Sequence, residues 1–367
     1  MRNRFVSILL AIRWTATLVA VAYHVRFLLF VDYDDVHAKT GLTRAFYFVT
    51  GLGHECFAVY FVLDGILAGL ALLPRLPETM PDHLAPDRAA PARRAYALYR
   101  LLLPGLVLGG LFDVAGARFF NDTGLYTEYP AFSTLTLDAA ALLGNLAMLQ
   151  PFAVPTFGSN GMLYLLSYLF WAHVLLALFL RGPPPARIAL AAAVLAFAPL
   201  AFLTWAGTWL AGVGVVWLAA TRAVRPSLPA ACAGLAGALL LSRVIGADDT
   251  LLPPPFGRWL IDCKYLLVGT SCALAAWAAC PAPLPRGVAA GPAAPFAFFF
   301  HFPVMMLCIA AGSALLGEPL RQQPAPARYA AFAIVVAACA GMALLVARPS
   351  GKEKRQAALP WPGAGRP

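Results

Sequence analysis

The sequence predicts an all-α membrane protein, a polytopic bundle of about ten transmembrane helices, and three observations lead there. Of 367 residues, 61% are hydrophobic and only 12% are charged, about half the charge density of an ordinary soluble domain. The mean hydropathy is +0.74. The apolar residues gather into runs close to the roughly 20 residues that a bilayer-spanning helix needs, and short loops between them carry most of the charge.

Taken in order, the predicted spans are 6–30, 53–74, 97–116, 162–180, 187–203, 204–221, 228–242, 258–279, 291–316 and 328–347. The first resembles a signal peptide because Arg2 and Arg4 precede it, but Arg13 splits its apolar stretch and no small-x-small cleavage site follows. It reads as a retained helix. The tract 187–221 is broken only by TWAGTW, which is where its two helices are divided. Residues 138–153, closed by Pro151, form a weaker segment that makes eleven crossings if it spans.

Loop charges decide between ten and eleven. If 138–153 only dips into the membrane, then Arg181, Arg187, Arg222, Arg225 and the tail KEKR share a side with Arg2 and Arg4, while Asp248 and Asp249 lie opposite. The positive-inside bias therefore favours ten crossings with both termini cytoplasmic. The chain reads as one domain over 1–348, with a disordered basic tail over 349–367. With Gly 30 and Pro 31, interrupted helices are expected.

The net charge of +10 follows the loops and tail rather than a nucleic-acid surface. Seven cysteines are scattered singly, without a CxxC pair, and read as small core residues rather than disulfides or metal ligands. No P-loop, GxGxxG, HExxH or GxSxG motif occurs.

What stands out is polarity inside the spans. Arg13 and His24 are eleven residues apart, which puts them on one helix face about 16 Å apart along the axis. Ionisable groups inside a bilayer nearly always face a cavity, a partner or a substrate path. GHECFAVYFVLDGIL carries His54 and Glu55 at its start and Asp64 near its middle, and a buried carboxylate there needs a cation or a proton. Arg13 is the expected partner. Structural ion pairing and catalysis are both open readings of that pair. Asp262 and Lys264 must point to different faces of their helix, so at least one needs a partner elsewhere. His301 interrupts FFFHFPVMML, and FGSNG at 157–161 is a polar cluster. The available chemistry is histidine base catalysis assisted by arginines and carboxylates.

Several of these stretches resemble the acyltransferase-3 family of multi-spanning membrane O-acyltransferases. IRWTATLVAVAYH is similar to the family's LRxxAxxxVxxxH, with Arg13 and His24 in place. GHECFAVYFVLDGIL aligns with GHEAVxVFFVLSGFL, NLAMLQPFAVPTFGSNGMLYLLSYLFW resembles NLxFLQxxxVPTFGSNGPLWSLSYEFW, and FFFHFPVMM resembles YLxHFP. The matches run in order from residue 8 to beyond 305.

The resemblance implies transfer of an acyl group, usually acetyl from cytoplasmic acetyl-CoA, to a hydroxyl of a glycan, lipid-linked saccharide or secreted metabolite at a bacterial inner membrane. His24 would be the general base, with Arg13 and Asp64 beside it. Arg100, with Arg93 and Arg94, would hold the CoA phosphates. His54, Glu55, Ser159, Asn160, Ser167 and His301 would contact substrate, and no metal is implied. Arg13, His24, Asp64 and Arg100 are then expected around one cavity open to the cytoplasm. The chain departs from the pattern at Asp64 for serine, Leu169 for glutamate, Tyr164 for tryptophan and Ala97 for one of two paired arginines. Those departures carry an alternative, a catalytically degenerate member acting as a transporter-like or scaffolding membrane protein.

Overall fold

The computed structural model describes residues 2–72, 90–127, 136–150, 152–221, 225–246, 251–280 and 293–347. They form twelve α-helices and no strand: α1 (Arg2–Leu29), α2 (Gly41–Thr50), α3 (Gly53–Leu72), α4 (Ala90–Phe119), α5 (Ala139–Leu146), α6 (Leu163–Arg181), α7 (Pro184–Phe197), α8 (Leu200–Thr221), α9 (Leu228–Ile245), α10 (Phe256–Ala279), α11 (Ala293–Leu316) and α12 (Pro326–Val346). Nine of these are long and apolar enough to cross a membrane. The chain is thus an all-α, multi-pass membrane protein.

The way each helix divides its faces explains the assembly. On α4, Leu103, Val107, Leu111 and Val114 are at least half exposed, a stripe at helical spacing that belongs to lipid. The opposite stripe, Leu102, Gly105, Leu106, Gly109, Asp113 and Gly116, is buried. Helix α3 has no lipid stripe of that kind and is the central strut, buried from Phe57 to Leu70 except at Val59. It meets α8 through two glycines. A Cβ on Gly65 would collide with the Trp209 carbonyl, and one on Gly212 with the Val62 carbonyl. Small residues that let backbones approach are the usual route to membrane helix packing, where lipid is as apolar as leucine.

Contacts fix the direction of each helix. The end of α1 pairs with the segment before α12: Val31 N donates to Gln322 O at 3.1 Å, and Gln322 N to Leu29 O at 3.1 Å. Arg243 Nη1, at the end of α9, donates to Gly51 O at 3.3 Å. These segments form one end of the bundle, here the far end, opposite the amino-terminal end. Helices α3 and α8 run parallel, since Gly65 faces Trp209 and Gly69 faces Val216. Helix α6 begins just after Ser159, which binds Asp113 near the end of α4, and Tyr99 near the start of α4 packs on Phe170 further along α6. Helix α6 therefore returns to the amino-terminal end, and α7 must cross back before α8 begins. Although α7 has only 14 residues, it supplies the tenth crossing, and the outer ends of α1 and α12 lie on the same side.

Two sequence boundaries move. The tract 184–221 breaks at Ala198–Pro199 rather than at TWAGTW, which lies inside α8. Proline lacks an N–H and pushes the preceding residue out of the helical region, and Ala198 has ψ 141°. Helix α4 starts at Ala90, not 97, so Arg93, Arg94 and Arg100 stand on one helix. Residues 138–153 contain only the eight-residue α5 and do not span, capped by Asp138, whose carboxylate accepts from Ala141 N at 2.7 Å. Of the cysteines, Cys272, Cys280 and Cys339 are buried as expected, but Cys232 and Cys263 are exposed. The basic tail and most of loop 75–96 lie outside the described residues.

Candidate functional site

The polar residues inside the spans form separate centres. The first surrounds Asp64 at mid-depth. Arg13 Nη2 lies 3.1 Å and Arg94 Nη2 3.4 Å from Asp64 Oδ1. Trp209 Nε1 donates to Oδ2 at 3.2 Å, and His173 Nε2 is 3.7 Å from the same oxygen. Arg13 Nη2 also donates to Tyr60 Oη at 2.8 Å. The expected Arg13–Asp64 pair therefore exists, with a second guanidinium on the same carboxylate oxygen. Among the described residues, two positive charges stand against one negative charge here. The side chains of Arg13 and Asp64 are 6% and 5% exposed, whereas that of Arg94 is 29% exposed. The cluster reaches the surface only through Arg94, at the amino-terminal end.

The second centre is a histidine pair. His301 sits one residue after Phe300, whose φ −129° and ψ 18° interrupt α11 three residues before Pro303. A proline there removes an N–H and crowds the preceding turn, and the Ala297 and Phe298 carbonyls lie within reach of the His301 ring. Nδ1 of His301 is 3.0 Å from each of those oxygens. Both are acceptors, so in the neutral ring Nδ1 carries the proton and Nε2 is bare. His301 Nε2 lies 3.0 Å from His24 Nδ1, so His24 Nδ1 must donate and His24 Nε2 holds the lone pair. His24 is 7% exposed, and its imidazole packs against Tyr23, Phe57 and Phe302.

The third centre is a cavity of about 890 Å³ at the far end, lined by Tyr23, Arg26, His54, Glu55, Arg243 and Lys264 among others. His54 is in edge contact with Tyr23 and with Phe57, at ring distances of 5.0 and 5.1 Å. Those two rings also touch His24, which thus lies one aromatic layer beneath the cavity floor. Glu55 Oε1 accepts from Ser242 Oγ at 2.7 Å. Lys264 donates to the carbonyls of Ser242 and Gly246, capping the last turn of α9. Asp262, on another face of α10 as its spacing requires, is 3.5 Å from Arg258.

A fourth centre ties down a loop. Ser159 N and Oγ donate to Asp113 at 2.7 and 2.6 Å. Asn145 Nδ2 donates to Ala141 O and Pro155 O, and its Oδ1 accepts from Phe157 N. Asn160 Oδ1 accepts from Met162 N, and Ser167 Oγ lies 3.9 Å from Met148 Sδ. Ser159, Asn160 and Ser167 are buried and line none of the cavity walls.

The expectation of one cavity shared by Arg13, His24, Asp64 and Arg100 is not met. Arg13 and Asp64 are closed together, His24 belongs to the far-end layer, and Arg93 and Arg100 are exposed on α4. The reason is axial distance: eleven residues along α1 place Arg13 and His24 at different depths. His54 and Glu55 do line the cavity, and His301 holds His24 rather than lining it. The sequence reading missed His173, Trp209, Asp113, Arg26 and Arg243. A histidine within WAHVLLAL and an aspartate within LFDVAG were visible as polar breaks in apolar runs. Trp209 carried no such signal. Among the described residues no cluster of histidine, cysteine or acidic side chains could hold a metal ion. No family model, curated protein or solved structure matches the chain.

Proposed function

We propose that this protein is a membrane O-acyltransferase of the bacterial inner membrane, with both termini cytoplasmic, in which His24 is the general base. The observation that supports this best is the His24–His301 contact: Nδ1 of His24 lies 3.0 Å from His301 Nε2, one aromatic layer below an 890 Å³ cavity, which leaves His24 Nε2 as the proton acceptor. The acceptor, a hydroxyl-bearing glycan, lipid-linked saccharide or metabolite, enters the cavity and displaces the Tyr23 or His54 ring. Nε2 takes the hydroxyl proton as the oxygen attacks the thioester carbonyl of acyl-CoA. The carbon–sulfur bond then breaks, and the departing thiolate recovers the proton from His24.

The donor reading draws on the other end. Arg94, 29% exposed and sharing Asp64 with Arg13, is a positive charge unmatched among the described residues where an anionic donor arrives. Arg93 and Arg100 stand on the same helix. Arg13 and Asp64 serve in this reading as positioning residues that hold α1, α3 and α4 together, not as partners in proton transfer.

A second reading is favoured by the closure of Asp64, whose oxygens are both occupied: a degenerate member of the acyltransferase-3 type that binds or passes a substrate without altering it. Membranes containing the full chain, given radiolabelled acetyl-CoA and an envelope extract, separate the two. Acyl transfer predicts label in a hydroxyl-bearing product. Inserted protein that transfers no label, yet moves or retains an unmodified substrate in vesicles, supports the second reading.

A further inference from the structure

The far-end cavity holds basic side chains in slight excess. Arg26, Arg44, Arg243 and Lys264 face it, against Asp32, Asp34 and Glu55. Asp32 is paired and Asp34 is turned to solvent, while Glu55 keeps its charge and accepts from a neutral hydroxyl. Asp32 Oδ1 is 2.8 Å from Arg321, Glu55 is bonded to Ser242, and Asp34 is exposed. Among the described residues no carboxylate forms an ion pair with Arg26, Arg243 or Lys264. Arg243 and Lys264 have backbone carbonyls as their hydrogen-bond acceptors.

Arg26 differs from both. Its guanidinium lies between the rings of Tyr47 and Tyr23, at 5.0 and 5.7 Å. Its Nε is buried with no hydrogen-bond partner among the described residues. A guanidinium is held in place by ring stacking while keeping its planar donors for a carboxylate or phosphate, which it grips in a two-pronged way that a lysine does not match. An unmet buried donor beside an open cavity marks where a ligand oxygen belongs.

We propose that the cavity selects an acceptor bearing an anionic oxygen group, a carboxylate or a phosphate, which docks on Arg26 while Arg243 and Lys264 supply the surrounding positive field. This names the chemical class of the acceptor and rests on the acyltransferase reading for that role alone, because anion binding is measured without acyl transfer. The His24-facing hydroxyl and the anionic group then belong to one molecule, held at both ends.

Calorimetric titration of the purified full chain in detergent tests this with three probes, glucuronic acid, glucose 1-phosphate and neutral methyl glucoside. At least one acid should bind tenfold or more tightly than the glucoside. Arg26→Gln should abolish that preference, and Arg26→Lys should restore part of it. The wild-type comparison of charged with neutral probes stands even where Arg26→Gln fails to fold. Equal affinity for all three probes, no binding of either acid, or an undiminished preference in folded Arg26→Gln overturns the proposal. Reconstitution in phosphatidylglycerol against phosphatidylcholine nanodiscs covers the lipid source: stabilisation by phosphatidylglycerol alone, with no response to either soluble acid, overturns the acceptor assignment. Acid-selective binding without any acyl transfer sinks the enzyme reading and leaves the anion site, whereas transfer to a neutral acceptor without acid preference does the reverse.

Discussion

Asp64 is the residue whose environment most constrains its role. One carboxylate is shared by Arg13 and Arg94 and accepts from Trp209. Asp64→Asn strips both guanidiniums of their counter-charge, and removing one partner of a buried pair costs about 3–5 kcal/mol. Arg94→Gln should cost much less, because that side chain is 29% exposed and partly solvated. Thermal unfolding in detergent checks the order, and equal losses for the two variants would contradict the geometry. His301 offers a second residue-scale test. His301→Phe keeps the packing but removes an acceptor that orients His24, so kcat should fall by up to about a hundredfold, the scale of small misplacements of a catalytic group, with KM for the acceptor little changed. At this scale the sequence was half legible. A charged residue in an apolar run announces that it has a partner, so Arg13 and Asp64 could be paired on depth alone. The partners that complete the set, His173 and Trp209, come from helices more than 100 residues away, and nothing local encodes that meeting.

At the scale of the element, the close approach of α3 and α8 depends on Gly65 and Gly212. Gly65→Leu inserts a side chain where a backbone carbonyl now lies, forcing the two helices apart and moving Trp209 away from Asp64. Overpacking of this kind typically costs about 1–3 kcal/mol, and here backbone must move, so the upper end is expected. A native-like unfolding temperature for Gly65→Leu would show that the helices do not cross there. The helices themselves were readable because bilayer thickness sets their length and lipid sets their composition. Their ends were less so. The division at Pro199 was overlooked because apolarity continues through it, and α4 ran past its predicted start because Arg93 and Arg94 are polar residues that a helix end tolerates once it leaves the hydrocarbon.

The whole molecule places two kinds of chemistry at two ends of one bundle, a positively charged surface through Arg94 and a polar cavity above His24. This arrangement depends on the ten-crossing topology, in which the 14-residue α7 crosses despite its length. In a cysteine-free background, Lys39→Cys, Leu200→Cys and Glu318→Cys should react with an impermeant thiol reagent from one side, and Pro183→Cys from the other. Labelling of Pro183→Cys and Leu200→Cys from the same side would remove α7 as a crossing and invert every helix after it. Loop charge had already indicated ten crossings, because segment 138–153 alone decided which side the later arginines took. Which polar groups share a depth is a property of helix direction and packing, and no reading of separate helices yields it.

The account turns on the imidazole beneath the cavity, and acyl transfer by His24→Ala measures it most directly. With radiolabelled acetyl-CoA in membranes holding equal amounts of inserted protein, His24→Ala should lose transfer by about 10²–10⁴-fold, the range general-base catalysis supplies, while unfolding at nearly the wild-type temperature. Transfer at the wild-type rate by that folded variant would contradict the account.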